Sequence, residues 1–342
     1  MALTRRNVLQ GIAALITGCS TLPKAPRPKQ NNSSTFQQLF PDLDPSRNIG
    51  FLALDLEREA GIAVPNECYY ILSTFIREME EQRIPFPYQP IPFLRTIDAL
   101  LLQEKFSFTP EQSLLSVALT TRLLDCDTAS FIYLSIAEDF NAPLSCVYAP
   151  GHAFVRWHNP DQSYINWETI IRAEKKDEEY QKRFNIPEES IKNQTYLRSL
   201  SKAEALGITC TNIGTAFLEK AAKMPDPARE SEEESKKAII AFNKALTLFP
   251  HYITALNNKG IALTMMSKYQ EAIECFDKAI ILEPNKASAF YNKAKALCEL
   301  GDYEKAIKIY DALIEMSQGN PYLDMIFESR QQAILKQGLL SK

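Results

Sequence analysis

A chain of 342 residues is longer than one hydrophobic core usually organises, so two compact domains are the starting expectation. Apolar residues at 45% and charged residues at 23% exclude a chain that is disordered throughout or collagen-like. A formal net charge of −4 supplies no basic field for grasping phosphates, which argues against a nucleic-acid partner; three histidines and seven scattered cysteines without a CxxC pair argue against a metal site, and no cofactor is expected.

Residues 1–19 place Arg5 and Arg6 ahead of a short apolar stretch from Val8 to Ile16, too short to span a bilayer. The stretch ends in Ile16-Thr17-Gly18-Cys19: an apolar residue, two small residues and a cysteine. That order resembles the bacterial lipobox, and Thr4-Arg5-Arg6-Asn7-Val8-Leu9 resembles a twin-arginine signal. The resemblance implies that Cys19 becomes the acylated first residue of a lipid-anchored protein of the bacterial cell envelope, facing the periplasm. Ser20, where an acidic residue is associated with inner-membrane retention, tilts the expectation toward the outer membrane. Residues 20–46, rich in Pro, Asn and Ser, read as a flexible tether.

A domain is expected over residues 47–200. The segment LLQEKFSFTPEQSLLSVALTTRLLDC predicts helical segments, with a helix start at Thr109-Pro110-Glu111-Gln112. DTASFIYLSIAEDFNAP predicts a buried helix that ends at Asn141-Ala142-Pro143. LSCVYA and HAFVRWH predict two strands joined by Pro150-Gly151, and Tyr164 to Glu168 a third. A cysteine thus heads a helix, a histidine opens a strand, and an acid lies on the strand after it.

That order suits nucleophilic catalysis. A thiol at a helix N-terminus gains from the positive end of the macrodipole, and a nearby imidazole can take its proton. A carboxylate then orients the imidazole and stabilises its charge. Cys126, His152 and Glu168 fit nucleophile, base and orienting acid, with Asn166 a second candidate for the last role. The pairing predicts a thiol that ionises below the free-cysteine range. Asp125 and Asp127 flank the cysteine and oppose that, unless one of them caps the helix.

The arrangement, with PGHAFVRW and the upstream SLLSVALTTRLLDC, resembles the transglutaminase-like superfamily over roughly Leu100 to Ile170. The resemblance implies an α+β, papain-like fold and acyl transfer from an amide through a thioester to water or an amine. Cys126 matches the family's nucleophile and His152 its base, while Glu168 stands where the family usually has Asp, and Asp125 where it has a small or amide residue.

Over residues 201–342 the sequence repeats itself. Ala255-x-x-Asn258-Lys259-x-x-Ala262 recurs 34 residues on as Ala289-x-x-Asn292-Lys293-x-x-Ala296, and Tyr269-x-x-Ala272-Ile273 recurs as Tyr303-x-x-Ala306-Ile307. Ala238, Phe242, Ala245 and Pro250 precede Ala272, Phe276, Ala279 and Pro284 by the same interval. These residues resemble the tetratricopeptide repeat, which implies an all-α solenoid of three repeats with a capping helix near Tyr322 to Gln337. About 12 extra residues within Met224 to Ser235 predict a surface loop in the first repeat. Stacked helix pairs form a groove for a protein or peptide ligand, and Asn212, Asn258 and Asn292 match the position from which the family often presents amides to it. Two functions stay open: a cysteine enzyme of the envelope with a recruiting repeat domain, and a non-catalytic scaffold on the same fold.

Overall fold

The structure is a computed structural model; it describes residues 32–111, 113–224, 229–316 and 322–340. The expected signal peptide, the lipidated Cys19 and residues 20–31 of the tether lie outside the described residues. The rest divides into two compact units. The first comprises residues up to 216 together with 243–250, and the second residues 217–242 and 251 onward.

The first unit opens with four helices: α1 (Asn32–Leu39), α2 (Ile49–Glu59), α3 (Asn66–Glu81) and α4 (Pro90–Gln103). Two short strands, β1 (Ser107–Phe108) and β2 (Leu123–Leu124), pair in parallel around α5 (Leu115–Thr121). The helix start expected at Thr109 is therefore a correction. The Thr109 amide donates to Leu124 O at 2.8 Å, so this backbone is drawn into a strand pair, and the helix begins at Leu115.

From Cys126 onward the predicted order holds. Helix α6 (Cys126–Asp139) leads into β3 (Leu144–Ala149), β4 (His152–His158), β5 (Tyr164–Glu168) and β6 (Ala173–Lys175), an antiparallel sheet in the order β3-β4-β5-β6. Ala149 pairs with His152 across a two-residue turn. Pro150 supplies a fixed negative φ and Gly151 a φ of +66°, the residue pattern of a type II turn. Two short helices, α7 (Asp177–Arg183) and α8 (Glu188–Lys192), follow the sheet, and residues 202–216 of α9 (Lys202–Ala222) complete the unit with residues 243–248 of α10 (Arg229–Leu248).

Strand alternation sends Ala153, Val155 and Trp157 to one face of β4 and His152, Phe154 and Arg156 to the other. Both faces are covered, so all but the last residue of the strand are buried. Trp157 meets the ring of Phe93 on α4 at 5.3 Å, and Trp167 is 1% exposed. Fully burying a large side chain of this kind contributes about 2–3 kcal/mol. Asp98 on α4 accepts hydrogen bonds from Tyr133 of α6 and from Trp167 Nε1, which ties helix to strand.

The second unit holds α11 (Ile253–Met265), α12 (Tyr269–Leu282), α13 (Ala287–Leu300), α14 (Tyr303–Met316) and α15 (Leu323–Leu340), with residues 217–222 of α9 and 229–242 of α10. Consecutive helices pack on one another in antiparallel pairs, and the repeating alanines sit where they cross: Ala255, Ala262, Ala272, Ala279, Ala289 and Ala296 are all fully buried. Gly260 allows closer approach still, because a Cβ there would lie 2.5 Å from the Phe276 ring. Lys293 on α13 reaches Asp277 on α12 at 2.5 Å.

Two expectations change here. The loop expected within Met224 to Ser235 is largely helix, since α10 begins at Arg229. Glu230 and Glu232 in its first turn favour the positive end of the helix dipole, and Glu234 pairs with Lys220 and Lys237. A capping helix with a charged, solvating outer face is also what the resemblance implies, but α15 carries Met325, Phe327, Leu335 and Leu339 exposed alongside its charges, so its outer face is mixed.

Candidate functional site

Helix α6 starts at the expected cysteine because Asp125 caps it. The Asp125 carboxylate accepts the Thr128 amide at 2.8 Å and the Ser113 amide at 2.6 Å, and Thr128 Oγ1 accepts the Asp125 amide at 3.0 Å. Cys126 is therefore the first residue of the helix, fixed by a reciprocal capping box and partly exposed.

On β4 and β5 the same sheet face carries His152 and Glu168, and His152 Nε2 lies 2.6 Å from Glu168 Oε2. Tyr180 of α7 donates to that oxygen at 3.1 Å. Its ring stacks on Phe154 at 4.0 Å, and Phe184 stacks against the imidazole at 5.4 Å. Glu168 thus holds one ring nitrogen and leaves Nδ1 as the other. Asn166 serves elsewhere. It receives Arg156 Nε at 2.7 Å and donates to Asp177 at 2.7 Å, so it braces β4 and β5 against α7 instead of orienting His152.

The electrostatics differ from expectation. Burial pushes the Cys126 thiol well above its ordinary range, and the carboxylates of Asp127, Asp125 and Glu168 add to the rise, while the Ala153 backbone amide lowers it. This direction is opposite to the depressed thiol expected from the sequence, because desolvation and the neighbouring carboxylates disfavour the thiolate. Asp127 is itself pushed up to about 6 by burial and by Asp125, with the Asn212 amide and the charge of His152 acting the other way. Cys126 Sγ donates to Asp127 Oδ1 at 3.6 Å, and Asn212 Nδ2 donates to Asp127 Oδ2 at 3.2 Å.

Asn212 therefore departs from the groove-facing amide expected of it. It is buried in the first unit, with its amide directed to Asp127. In the second unit Asn258 and Asn292 are half-buried, and Asn257, not singled out from the sequence, bridges them: it donates to Asn258 Oδ1 at 3.4 Å and accepts Asn292 Nδ2 at 3.1 Å. Tyr180, Asp127 as a partner of the thiol, and the Ala153 amide were likewise not legible as site residues.

The other described cysteines, 68, 146, 210, 275 and 298, are free thiols. Among the described residues no group of three His, Cys, Asp or Glu side chains is placed to hold a metal ion, and no helix is long and apolar enough to cross a membrane. A cavity of about 210 Å³ lies elsewhere in the first unit, against Phe36, Leu52, Ala203 and Leu206. Lys202, on its wall, is engaged by Glu138 and by Arg47 O.

Two tetratricopeptide-repeat family models match the chain, one over residues 253–286 and the other over 275–308. Residues 253–308 are tetratricopeptide repeats. Solved structures similar to the chain include the Sgt2 TPR domain from Aspergillus fumigatus, at 21% identity and TM-score 0.34, covering 40% of this chain and 81% of that one. The TPR2B domain of yeast Sti1, solved as a pHsp70 complex, matches at 19% identity and TM-score 0.34 over 40% of this chain and 99% of that one. The first TPR of Spaghetti (RPAP3), bound to the HSP90 peptide SRMEEVD, matches at 19% identity and TM-score 0.30, covering 38% and 94%. No curated protein matches the chain significantly. Among the described residues, the region before the repeats combines helices with a two-stranded and a four-stranded sheet, an α+β unit.

Proposed function

We propose that the chain is a lipid-anchored protein of the bacterial envelope in which a transglutaminase-like site of Cys126, His152 and Glu168 acts on amide bonds. The observation that carries this reading is the 2.6 Å contact between His152 Nε2 and Glu168 Oε2, with the amide of Ala153, the residue after His152, facing the thiol of Cys126 on the first turn of a capped helix. In this reading the thiol proton passes to His152 Nδ1, and Sγ attacks the amide carbonyl to form a C–S bond. The amine leaves with the proton from the imidazole. Water or a second amine, giving its proton to the imidazole, then attacks the thioester carbonyl; the C–S bond breaks, the acid or new amide leaves, and the ring returns the proton to Sγ. Glu168 and Tyr180 hold the imidazole in the tautomer and orientation this needs. Anchoring is assigned to acylation of Cys19, and the repeats dock an extended protein or peptide segment past Asn258 and Asn292.

Alkylation of Cys126 by iodoacetamide across pH 5–10, with His152→Ala alongside, tests the site. Slower alkylation in the variant, with the profile displaced to higher pH, is the expected result. Superimposable profiles refute it. A second reading, a non-catalytic scaffold whose repeats recruit a partner, is favoured by one observation, the Asp127 carboxylate against the thiol. Superimposable profiles would leave that reading in place.

A further inference from the structure

The Cys126 thiol donates to an acid, and that acid is held at both oxygens. Asp127 Oδ1 takes the thiol at 3.6 Å, and Asp127 Oδ2 takes the Asn212 amide at 3.2 Å. Its backbone belongs to the turn fixed by the Asp125 capping box, and the residue is buried. The titratable groups facing it are Asp125 and Cys126 from its own turn, His152 from β4 and Cys146 from β3, with Glu168 facing the thiol. The helix terminus that would stabilise a thiolate here stabilises the stronger acid first.

We propose that Asp127 restrains Cys126 by keeping the proton on its thiol, and that Asn212 is a positioning residue that acts through Asp127. The proposal rests on the acyl-transfer reading, in which the thiol proton must leave for His152. A negative carboxylate beside the sulfur opposes that transfer, because negative charge then develops next to negative charge in a desolvated site. Asn212 maintains the restraint by donating to the ionised acid. Its removal lets Asp127 take up a proton and frees the thiol. The site is therefore built to rest, and what activates it is neutralisation or displacement of one carboxyl group.

The test is the pH profile of Cys126 alkylation by iodoacetamide in the full chain, for the wild type, Asp127→Asn, Asn212→Ala, and each combined with His152→Ala, with thermal melting as the control for folding. A like charge at this range shifts an ionisation by about 1–3 pH units. Asp127→Asn, a near-isosteric neutral change, is expected to lower the alkylation midpoint by that amount and to raise the rate at pH 7 about tenfold or more. Asn212→Ala is expected to act in the same direction by about threefold, and both gains to vanish with His152→Ala. An Asp127→Asn profile equal to the wild type, in a protein whose reactivity still depends on His152, overturns the restraint and leaves the acyl-transfer reading standing. Indifference to His152 in every background overturns the acyl-transfer reading itself. If Asp127→Asn melts early, Asn212→Ala alone decides: an unchanged profile overturns the positioning role.

Discussion

Glu57 gives the sharpest stability prediction. It is 1% exposed, and its carboxylate accepts the amides of Leu115 at 2.7 Å and Ser116 at 3.2 Å, which places it on the N-terminus of α5. Burial nevertheless pushes it from its ordinary value near 4.5 up to about 7, against the pull of those hydrogen bonds. The folded state therefore binds the proton more tightly than the unfolded one. Stability from this group is fully present below pH 4.5 and is lost as the pH rises through 7. A gap of roughly 2.5 pH units at 1.36 kcal/mol each amounts to about 3 kcal/mol. Asp127, raised from 3.8 to about 6, adds a loss of the same sign in a slightly lower window. The chain has two tryptophans, Trp157 and Trp167, both buried in the first unit, so urea titrations followed by tryptophan fluorescence report on that unit alone. Between pH 4.5 and 7.5 the wild type should lose several kcal/mol, and Glu57→Gln should lose about 3 kcal/mol less. Equal pH slopes in the two proteins would show that Glu57 takes up no extra proton on folding.

Other perturbations follow from specific contacts. Gly260→Ala should lower the stability of the repeats by about 1–3 kcal/mol despite its better helix propensity, because the Cβ meets the Phe276 ring, and Phe276→Leu should recover most of the loss in helical circular dichroism melts. Arg156 is buried between Asp177 at 2.6 Å, Asn166 and Leu197 O, so Arg156→Ala should cost about 3–5 kcal/mol in tryptophan-monitored urea unfolding, and Lys should fail to replace the fork. Asp125→Ala should cost about 1–2 kcal/mol in the same assay, since it strips the cap from α6. Glu168→Gln should keep the fold but weaken the hold on His152, read as reduced Cys126 alkylation near neutral pH under unchanged melting.

What the sequence made legible was local. The strands LSCVYA and HAFVRWH are β3 and β4 to the residue, because alternation, β-branched residues and the Pro150-Gly151 turn all agree over a short span. Helix α6 begins at Cys126 because a capping residue stands directly before it. The repeats were legible because a 34-residue period is a statement the chain makes about itself, and α11 to α14 follow it. What escaped depends on partners far along the chain. Thr109 is drawn into β-pairing by Leu124, Tyr180 reaches Glu168 across 12 positions, and Asn212 reaches Asp127 across 85. Nothing near Asn212 distinguishes it from Asn258, whose repeat position it shares, and only the packed unit separates their roles. The thiol's rise escaped for a related reason: helix position and charge order can be read from a string, but desolvation cannot.

The tight link between Ala149 and His152 sets more than a bend. With the two-residue turn kept, a single inserted residue there would slip the register of β4 by one and exchange its two surfaces relative to β3, sending the imidazole to the face where Ala153 now lies. Two backbone positions, Pro150 and Gly151, consequently serve as a gauge: the length of the corner and the presence of a base beside its acid are one and the same choice.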